Sequence, residues 1–426
     1  MSNRVVALAA LATGLALTAN AADSCWPQWR GPSRDGRAVD QKMRSDWEQN
    51  PPEQIWSMEG IGNGYGSLAV VGDRLYTTGY VDEEEMVTAV NLATRKVLWQ
   101  TPVGKSVEMR NEDWYGSRGT PTIDGERIYV VASDGGIACL DIATGKQKWR
   151  KSFEAEYGSG SQSWGYAESA LVDGNAVICT PGSEKALMVA LDKMSGAELW
   201  RTPYPELGEE GKREAGYASA VVSNAAGVRQ YVQMTGKGAV GVRAGDGELL
   251  WHYNRVANRT AVIPTPLVQG DQVFVSSGYG TGAALLNLTK SGDGVQAEEF
   301  YFLGPNEFQN HHGQMILHED HVYAGRGHGK GFPVCLELQT GKIVWGEGER
   351  GPGSGSAAVI FVDGHLIFRY QNGIVALIEA TPEEYRLKGT FTPEFTDGPN
   401  WAHPVVCDGK LYLRQKDRLM CFGVAK

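Results

Sequence analysis

The feature that most constrains this chain is a motif that keeps coming back. A small residue is followed two positions on by Asp, Asn or Glu, then by a Thr-Gly or Ser-Gly pair, and a Trp stands ten positions after the small residue. The full pattern runs from Cys139 to Trp149, Ala190 to Trp200 and Cys335 to Trp345, and Ala89 to Trp99 and Gly241 to Trp251 keep its small residue and its Trp. Each Trp begins a strand and must bury its ring against a neighbouring sheet, so a small residue is expected at that contact. Self-similarity at about 40–50 residues is the spacing of propeller blades.

Residues 120–149, TPTIDGERIYVVASDGGIACLDIATGKQKW, form one complete unit. Asp124-Gly125, Asp134-Gly135 and Thr144-Gly145 are hairpin turns, because Gly accepts the positive φ such turns need. Between them, alternating apolar positions read as half-buried strands. The result is four antiparallel strands. Related first hairpins begin at Ser67, Thr120, Ser169, Ser219, Thr265, Gly313, Ser356 and His403, so roughly eight blades are expected. Two units are degenerate. One carries the insertion 288–299, and the other has Pro382-Glu383-Glu384 in place of the Thr-Gly turn. The last unit stops at Phe422 without an outer strand. Residues 55–57 are expected to supply it and close the ring, which removes an exposed sheet edge.

The reading is therefore an all-β, eight-bladed β-propeller of four-stranded antiparallel blades, closed by an N-terminal strand that completes the last blade. High glycine content, 55 residues, agrees. The expected organisation is a signal peptide over 1–21, a strap over 22–52 that packs its tryptophans on the body, and one propeller domain over 53–426. The signal peptide reads from Arg4, an apolar run and a small-x-small site ending at Ala21. No later stretch is apolar enough to span a membrane, and no lipobox precedes Cys25. The chain is expected to be periplasmic or secreted, and monomeric. A net charge of −10 argues against nucleic acid as a partner. Of six cysteines, Cys139, Cys335 and Cys421 fill the small-residue slot and read as core. Cys25 has no repeat counterpart and is a candidate for a disulfide with Cys407 or Cys421 near the closure.

The Trp motif, together with the opening Trp26-Pro-Gln-Trp-Arg-Gly-Pro-Ser-Arg-Asp-Gly36, resembles the PQQ-like (quinoprotein and BamB-like) β-propellers. The resemblance covers nearly the whole mature chain. It implies the fold strongly and the function weakly, because one fold hosts many functions.

Recognition in such a ring belongs at the channel mouth, where loops cross from one blade to the next. Those loops carry Arg118, Trp164, Glu168, Tyr217, Arg259, Asn310, His311, His312, Trp401 and His403. Indole and phenol rings stack on a planar ligand, and charged groups hydrogen-bond to it. Adjacent histidines with no third-ligand spacing do not make a metal site, and His318, His321 and His328 are expected at the surface. The resemblance raises the alternative of a PQQ-dependent oxidoreductase acting on alcohols or sugars. That chemistry needs a stacking platform, a Ca²⁺ site and a carboxylate base. Trp164, Glu168, Asn310 and Asp397 are the residues available for it, but their spacing does not ask for it. Enzymes of that kind also carry adjacent cysteines, which this chain lacks. The expected function is a non-catalytic binding scaffold with no cofactor, PQQ and Ca²⁺ being the alternative. Its expected partner is an envelope protein, as the BamB resemblance implies, or a glycan or small polar ligand stacked on Trp164 and Trp401.

Overall fold

The computed structural model describes residues 25–426. The expected signal peptide and its cleavage near Ala21 lie outside the described residues. Among the described residues no helix is long and apolar enough to cross a membrane.

Eight antiparallel sheets follow one another, over residues 69–105, 122–152, 171–202, 221–253, 267–303, 315–345, 357–391 and 405–423. We number them blades 1 to 8. Blade 8 has only three strands of its own. Its fourth is Glu53–Met58, antiparallel to Arg418–Gly423 with Trp56 opposite Cys421. The two ends of the chain thus share one sheet, and the ring closes as the sequence predicts.

The interlock between blades differs from the expectation in one respect. The small residue belongs to the core shared with the next blade, but its closest constraint comes from its own blade. It sits across from its own Trp inside the blade, as Ala89–Trp99, Cys139–Trp149 and Ala190–Trp200 pairs. In several blades a tyrosine flanks it on the other side. Tyr76, Tyr129, Tyr323 and Tyr412 are paired with Ala89, Cys139, Cys335 and Cys421. The residue must be small because it lies between two rings, centred 6.1 Å apart for Tyr129 and Trp149. The neighbouring blade presents the glycine of its Thr-Gly, Ser-Gly or Asp-Gly turn. Trp99 lies over Gly145, Trp149 over Gly196 and Trp200 over Gly247. The indole N–H then donates to a carbonyl of that turn, from Trp149 Nε1 to Lys193 O at 3.2 Å and from Trp200 Nε1 to Ala244 O at 3.1 Å. In blade 5 the insertion replaces the turn, so Trp251 donates instead to Gln230 Oε1 of its own blade.

A second ring runs along the start of the inner strands. Ser67 N donates to Thr120 Oγ1, Thr120 N to Ser169 Oγ, and Ser169 N to Ser219 Oγ. Thr265 N donates to Gln314 Oε1, and Ser67 Oγ donates to His403 O across the closure. Blades 2, 3, 4 and 6 thus each cap a backbone N–H of the preceding blade.

The strap over 22–52 does more than pack on the body. From Cys25 onward it threads the channel and pairs with the inner edges of the blades. Trp26 bridges Val70, Ile123 N donates to Pro27 O, and Arg37–Ala38 pairs in parallel with Phe361–Val362. Arg30 and Arg34 are buried. Arg34 donates to Ser169 O and Ala170 O, and Arg30 to Asp35 O and Met315 O. A disulfide joins Cys25 to Cys407, with Cα atoms 5.8 Å apart, inside the usual range. It leaves Cys139, Cys179, Cys335 and Cys421 as buried thiols. Peptide mapping under non-reducing conditions is expected to find the Cys25–Cys407 link and four free thiols.

The docking glycine can be tested against a control. Gly196 (φ +72°) and Gly174 (φ +59°) both sit in blade 3 turns. A methyl group at Gly196 would meet the Trp149 ring at 2.8 Å, whereas one at Gly174 meets nothing within 4 Å. Both alanine variants bear the left-handed backbone cost of about 1–2 kcal/mol. Gly196→Ala is expected to lose a further ~1–3 kcal/mol from overpacking, seen as a clearly lower thermal midpoint than that of Gly174→Ala.

Candidate functional site

The strap closes the channel from below, so the loop-bearing end becomes a blind cavity of about 220 Å³. Its floor includes Trp29, whose Nε1 donates to Thr265 Oγ1 at 3.2 Å and whose ring meets His403 edge-on with centroids 4.8 Å apart. The inner-strand ring supplies Ser169, Ser219, Thr265 and Gln314. The walls come from the crossing loops. Tyr65 and Trp401 pack with centroids 5.0 Å apart, and Trp164 and Tyr217 at 5.6 Å. Trp114 and Tyr279 complete the aromatic lining.

Of the ten residues expected at the mouth, Arg118, Trp164, Tyr217, His311, His312, Trp401 and His403 line this cavity. Three do not. Glu168 is buried between blades, where it accepts from Thr180 N at 2.7 Å, Thr180 Oγ1 at 2.9 Å and Gln233 Nε2 at 3.0 Å. Asn310 is fully buried and staples its own loop, bonding Gln314 O, Gly325 O and Gln314 N. Arg259 is exposed outside the cavity. The polar residues nearest an inner strand are thus recruited to satisfy buried backbone, a demand that spacing alone does not reveal. Trp29, Tyr65, Trp114 and Tyr279 are lining residues that the motif reading passed over. Trp29 was legible as a second Trp in the strap, but only a strap inside the channel makes it a floor. His328, expected at the surface, is exposed yet stacks on Tyr279 and His311 at 4.2 Å.

Arg118 is held by three carbonyls. Its Nη1 donates to Gly116 O at 2.8 Å and Trp164 O at 3.3 Å, and its Nη2 to Trp114 O at 2.8 Å. The guanidinium lies 5.6 Å from the Tyr65 ring centre. No carboxylate lines the cavity. Burial lowers the Arg118 pKa, partly opposed by the surrounding tyrosines.

The imidazoles are uncharged at neutral pH. Burial, with His312 and His328 nearby, brings His311 down to about 2. Burial brings His312 to about 3, assisted by His403 and Arg118, and His403 to about 3, assisted by Arg30. His311 is fixed by Ser356 Oγ at 2.9 Å and Tyr279 Oη at 3.0 Å. His312 Nε2 is buried with no partner among the described residues. Two carboxyls behind the wall shift the other way. Burial raises Glu85 and Glu168 to about 7, against hydrogen bonds from Ser133 and Thr180.

These shifts oppose each other in stability. The histidines' folded pKa values lie below the ordinary 6.5, so the unfolded chain binds more protons and stability is lost as pH falls below that value. The carboxyls' folded values lie above 4.5, so their contribution is lost as pH rises from there through about 7. Stability is expected to peak near pH ~6.5 on these groups. Glu168→Gln is expected to move the peak upward and flatten the decline between pH 6 and 8, measured by denaturant midpoints across pH.

Comparison with known proteins agrees with the fold. A family model described as outer membrane protein assembly factor BamB matches residues 37–211 and 83–347. The assembly factor BamB of Nitrosomonas eutropha is 24% identical over 294 residues, 68% of this chain and 62% of that protein. BamB of Shewanella oneidensis is 26% identical over 279 residues, 62% of this chain and 65% of its own. The chain thus spans less than two thirds of the length of these relatives. The crystal structure of BamB from Moraxella catarrhalis matches 87% of this chain and 99% of that one, with TM-score 0.62 and 14% identity. A quinohemoprotein alcohol dehydrogenase from Comamonas testosteroni matches 96% and 82%, with TM-score 0.63 and 13% identity. At these identities the structural likeness is one of fold.

Proposed function

The chain belongs to the family described as outer membrane protein assembly factor BamB, and from that premise we propose that it is an exported, non-catalytic propeller scaffold that recognises its partner on the loop-bearing face. The observation that carries this reading is the chemistry of the cavity. Aromatic rings, uncharged imidazoles and hydroxyls line it, and no Asp or Glu does. Proton abstraction from an alcohol wants a positioned carboxylate or another base near the operating pH. The histidines here have pKa values of about 2 to 3, far too low for that work at neutral pH.

The quinoprotein alternative can be judged on the same residues. PQQ is a tricyclic quinone with several carboxylates, and its Ca²⁺ partner wants several oxygen ligands. The cavity offers one arginine and one amide side chain, Gln314, whose oxygen already accepts from Thr265 N at 2.7 Å. Of the four residues the sequence made available, Trp164 lines it, while Glu168, Asn310 and Asp397 do not. At about 220 Å³ it is also below the ~300 Å³ at which drug-sized guests are usually held. The residues present do not fit the group.

For the scaffold itself the proposed partner is a protein of the cell envelope, a reading supported by the family relatives. The blind cavity then serves as an anchor point on the binding face, with the exposed loops around it as the rim. Glycan binding is the second option that the sequence raised, and it rests on the indoles alone.

Two measurements test this. Purified protein mixed with PQQ and Ca²⁺ is expected to show no bound quinone absorbance and no dye reduction with alcohols or sugars, and clear turnover would overturn the proposal. A photo-crosslinker at exposed Ser163, beside Trp164, is expected to yield a discrete protein adduct in envelope extract. The same probe at Asp73, in a turn at the far end of an inner strand, is expected to yield none. Equal labelling at both positions would count against the loop face.

A further inference from the structure

We propose that the cavity binds a small aromatic carboxylate, its ring held between the indole and phenol walls and its carboxylate on the free edge of Arg118. The inference rests on the binding reading above and deepens it by naming the ligand class.

The first support is an unbalanced charge. Arg118 faces an enclosed cavity and forms no salt bridge with any described carboxylate. Its three hydrogen bonds go to neutral carbonyls. A guanidinium has five N–H donors, so Nε–H and one Nη2–H are left without a protein partner among the described residues. The acid that acts on it through space, Glu85, is buried behind the wall and makes no ion pair with it, and leaving an arginine half-buried beside an apolar cavity without a direct ion-pair partner is costly. An anion from outside relieves that cost, and two adjacent N–H groups suit the two oxygens of a carboxylate.

The second support is the wall. Trp164, Tyr217, Tyr65 and Trp401 form two aromatic pairs, at 5.6 and 5.0 Å between centroids, and they surround space for one or two fused rings rather than a larger ligand. Rings of this kind favour a flat guest in offset or edge contact. The surrounding imidazoles stay neutral, so Arg118 is the single cation among the described lining residues.

The same features argue against other guests. A cationic ligand would enter the aromatic cage beside a positive charge. A sugar ring needs partners for many hydroxyls, yet three of the hydroxyl oxygens in the lining already accept a bond each. Ser169 Oγ and Ser219 Oγ cap backbone N–H groups, and Thr265 Oγ1 accepts from Trp29. A neutral aromatic guest would stack but leave Arg118 unpaired. The closed floor fixes the direction of entry, because the strap blocks the channel and the guest must arrive from the loop face.

The test compares acids with their uncharged amides, using indole-3-acetate against indole-3-acetamide and 4-hydroxybenzoate against 4-hydroxybenzamide. Calorimetry and tryptophan fluorescence quenching are the readouts. The acids are expected to bind about 10- to 100-fold tighter than the amides, the range for charge-assisted hydrogen bonds. Arg118→Gln is expected to remove that preference, so that acid and amide bind alike, while Arg118→Lys retains part of it. Butyrate is expected to bind weakly for want of a ring. Equal binding of acid and amide overturns the proposal, as does displacement of both by methyl glucoside, or no binding of any acid at millimolar concentration. If Arg118→Gln does not fold, the comparison on the unaltered protein decides alone. Failure here with the Ser163 adduct intact and no quinone turnover rejects the ligand class and leaves the scaffold reading standing.

Discussion

The contact on which everything else depends is an indole lying flat over a glycine. Each blade is a small twisted sheet whose two faces are apolar, and it has no stable existence apart from its neighbours. Trp149 over Gly196 and Trp200 over Gly247 put a large ring on the one residue type that adds no side chain at the contact. The same glycine sits at positive φ, so the turn needs it twice over. The indole N–H then binds a carbonyl of that turn, which fixes the ring's orientation as well as its burial. Repeated from blade to blade, this sets the angular step and makes closure into a ring possible. Where the turn is lost, in blade 5, a long hairpin packs Leu288 and Val295 against blade 4 instead. Apolar area is kept and the specific hydrogen bond is given up.

A ring of sheets creates a difficulty at its axis. The innermost strand of each blade is a sheet edge, and edge carbonyls facing a narrow channel need donors. The strap answers that need. Its backbone pairs with blades 1, 2 and 7. Its arginines serve blades 3 and 6, with Arg34 on Ser169 O and Ala170 O, Arg30 on Met315 O, and Arg37 on Leu317 O. Arginine suits this role because it is all donor and no acceptor. The disulfide from Cys25 to Cys407 ties the strap's start to blade 8. A channel that would otherwise be wet and open gains a closed floor, and the cavity opens at one end only.

Much of this was legible in the sequence because it repeats. The blade count, the closing strand Glu53–Met58 and the buried cysteines all follow from periodicity and from the small-residue slot. Periodicity also marked the starts of the inner strands at Ser67, Thr120, Ser169, Ser219 and Thr265. It did not reveal that the hydroxyls of Thr120, Ser169 and Ser219 each cap the preceding blade's backbone, because a hydroxyl at a strand start is ordinary on its own. The strap was the harder case. It matches no repeat, so the pattern could say that its tryptophans pack somewhere but not that they pack inside. Glu168 and Asn310 failed as site residues for a related reason. A polar residue at the head of an inner strand has two possible employers, the ligand and the unsatisfied backbone, and burial decides for the backbone.

The cavity inherits its character from these structural demands. Carboxylates near the axis are held behind the wall. Glu168 is locked by Thr180 and Gln233, and Glu85 accepts from Ser133 N at 2.6 Å. Deep burial raises both toward neutrality, so neither projects a full negative charge inward. Histidines line the wall but are too desolvated to ionise. What remains facing the guest is an apolar aromatic surface and one guanidinium without a counter-ion. Such a wall has little means to move protons, and its one strong preference is electrostatic. A propeller of this family can therefore keep the same interlock and strap while changing what it recognises through a few loop residues. In this chain the cavity-lining loop residues Arg118, Trp164, Tyr217 and Trp401 are the ones our proposal assigns to that role, and the interlock itself requires none of them.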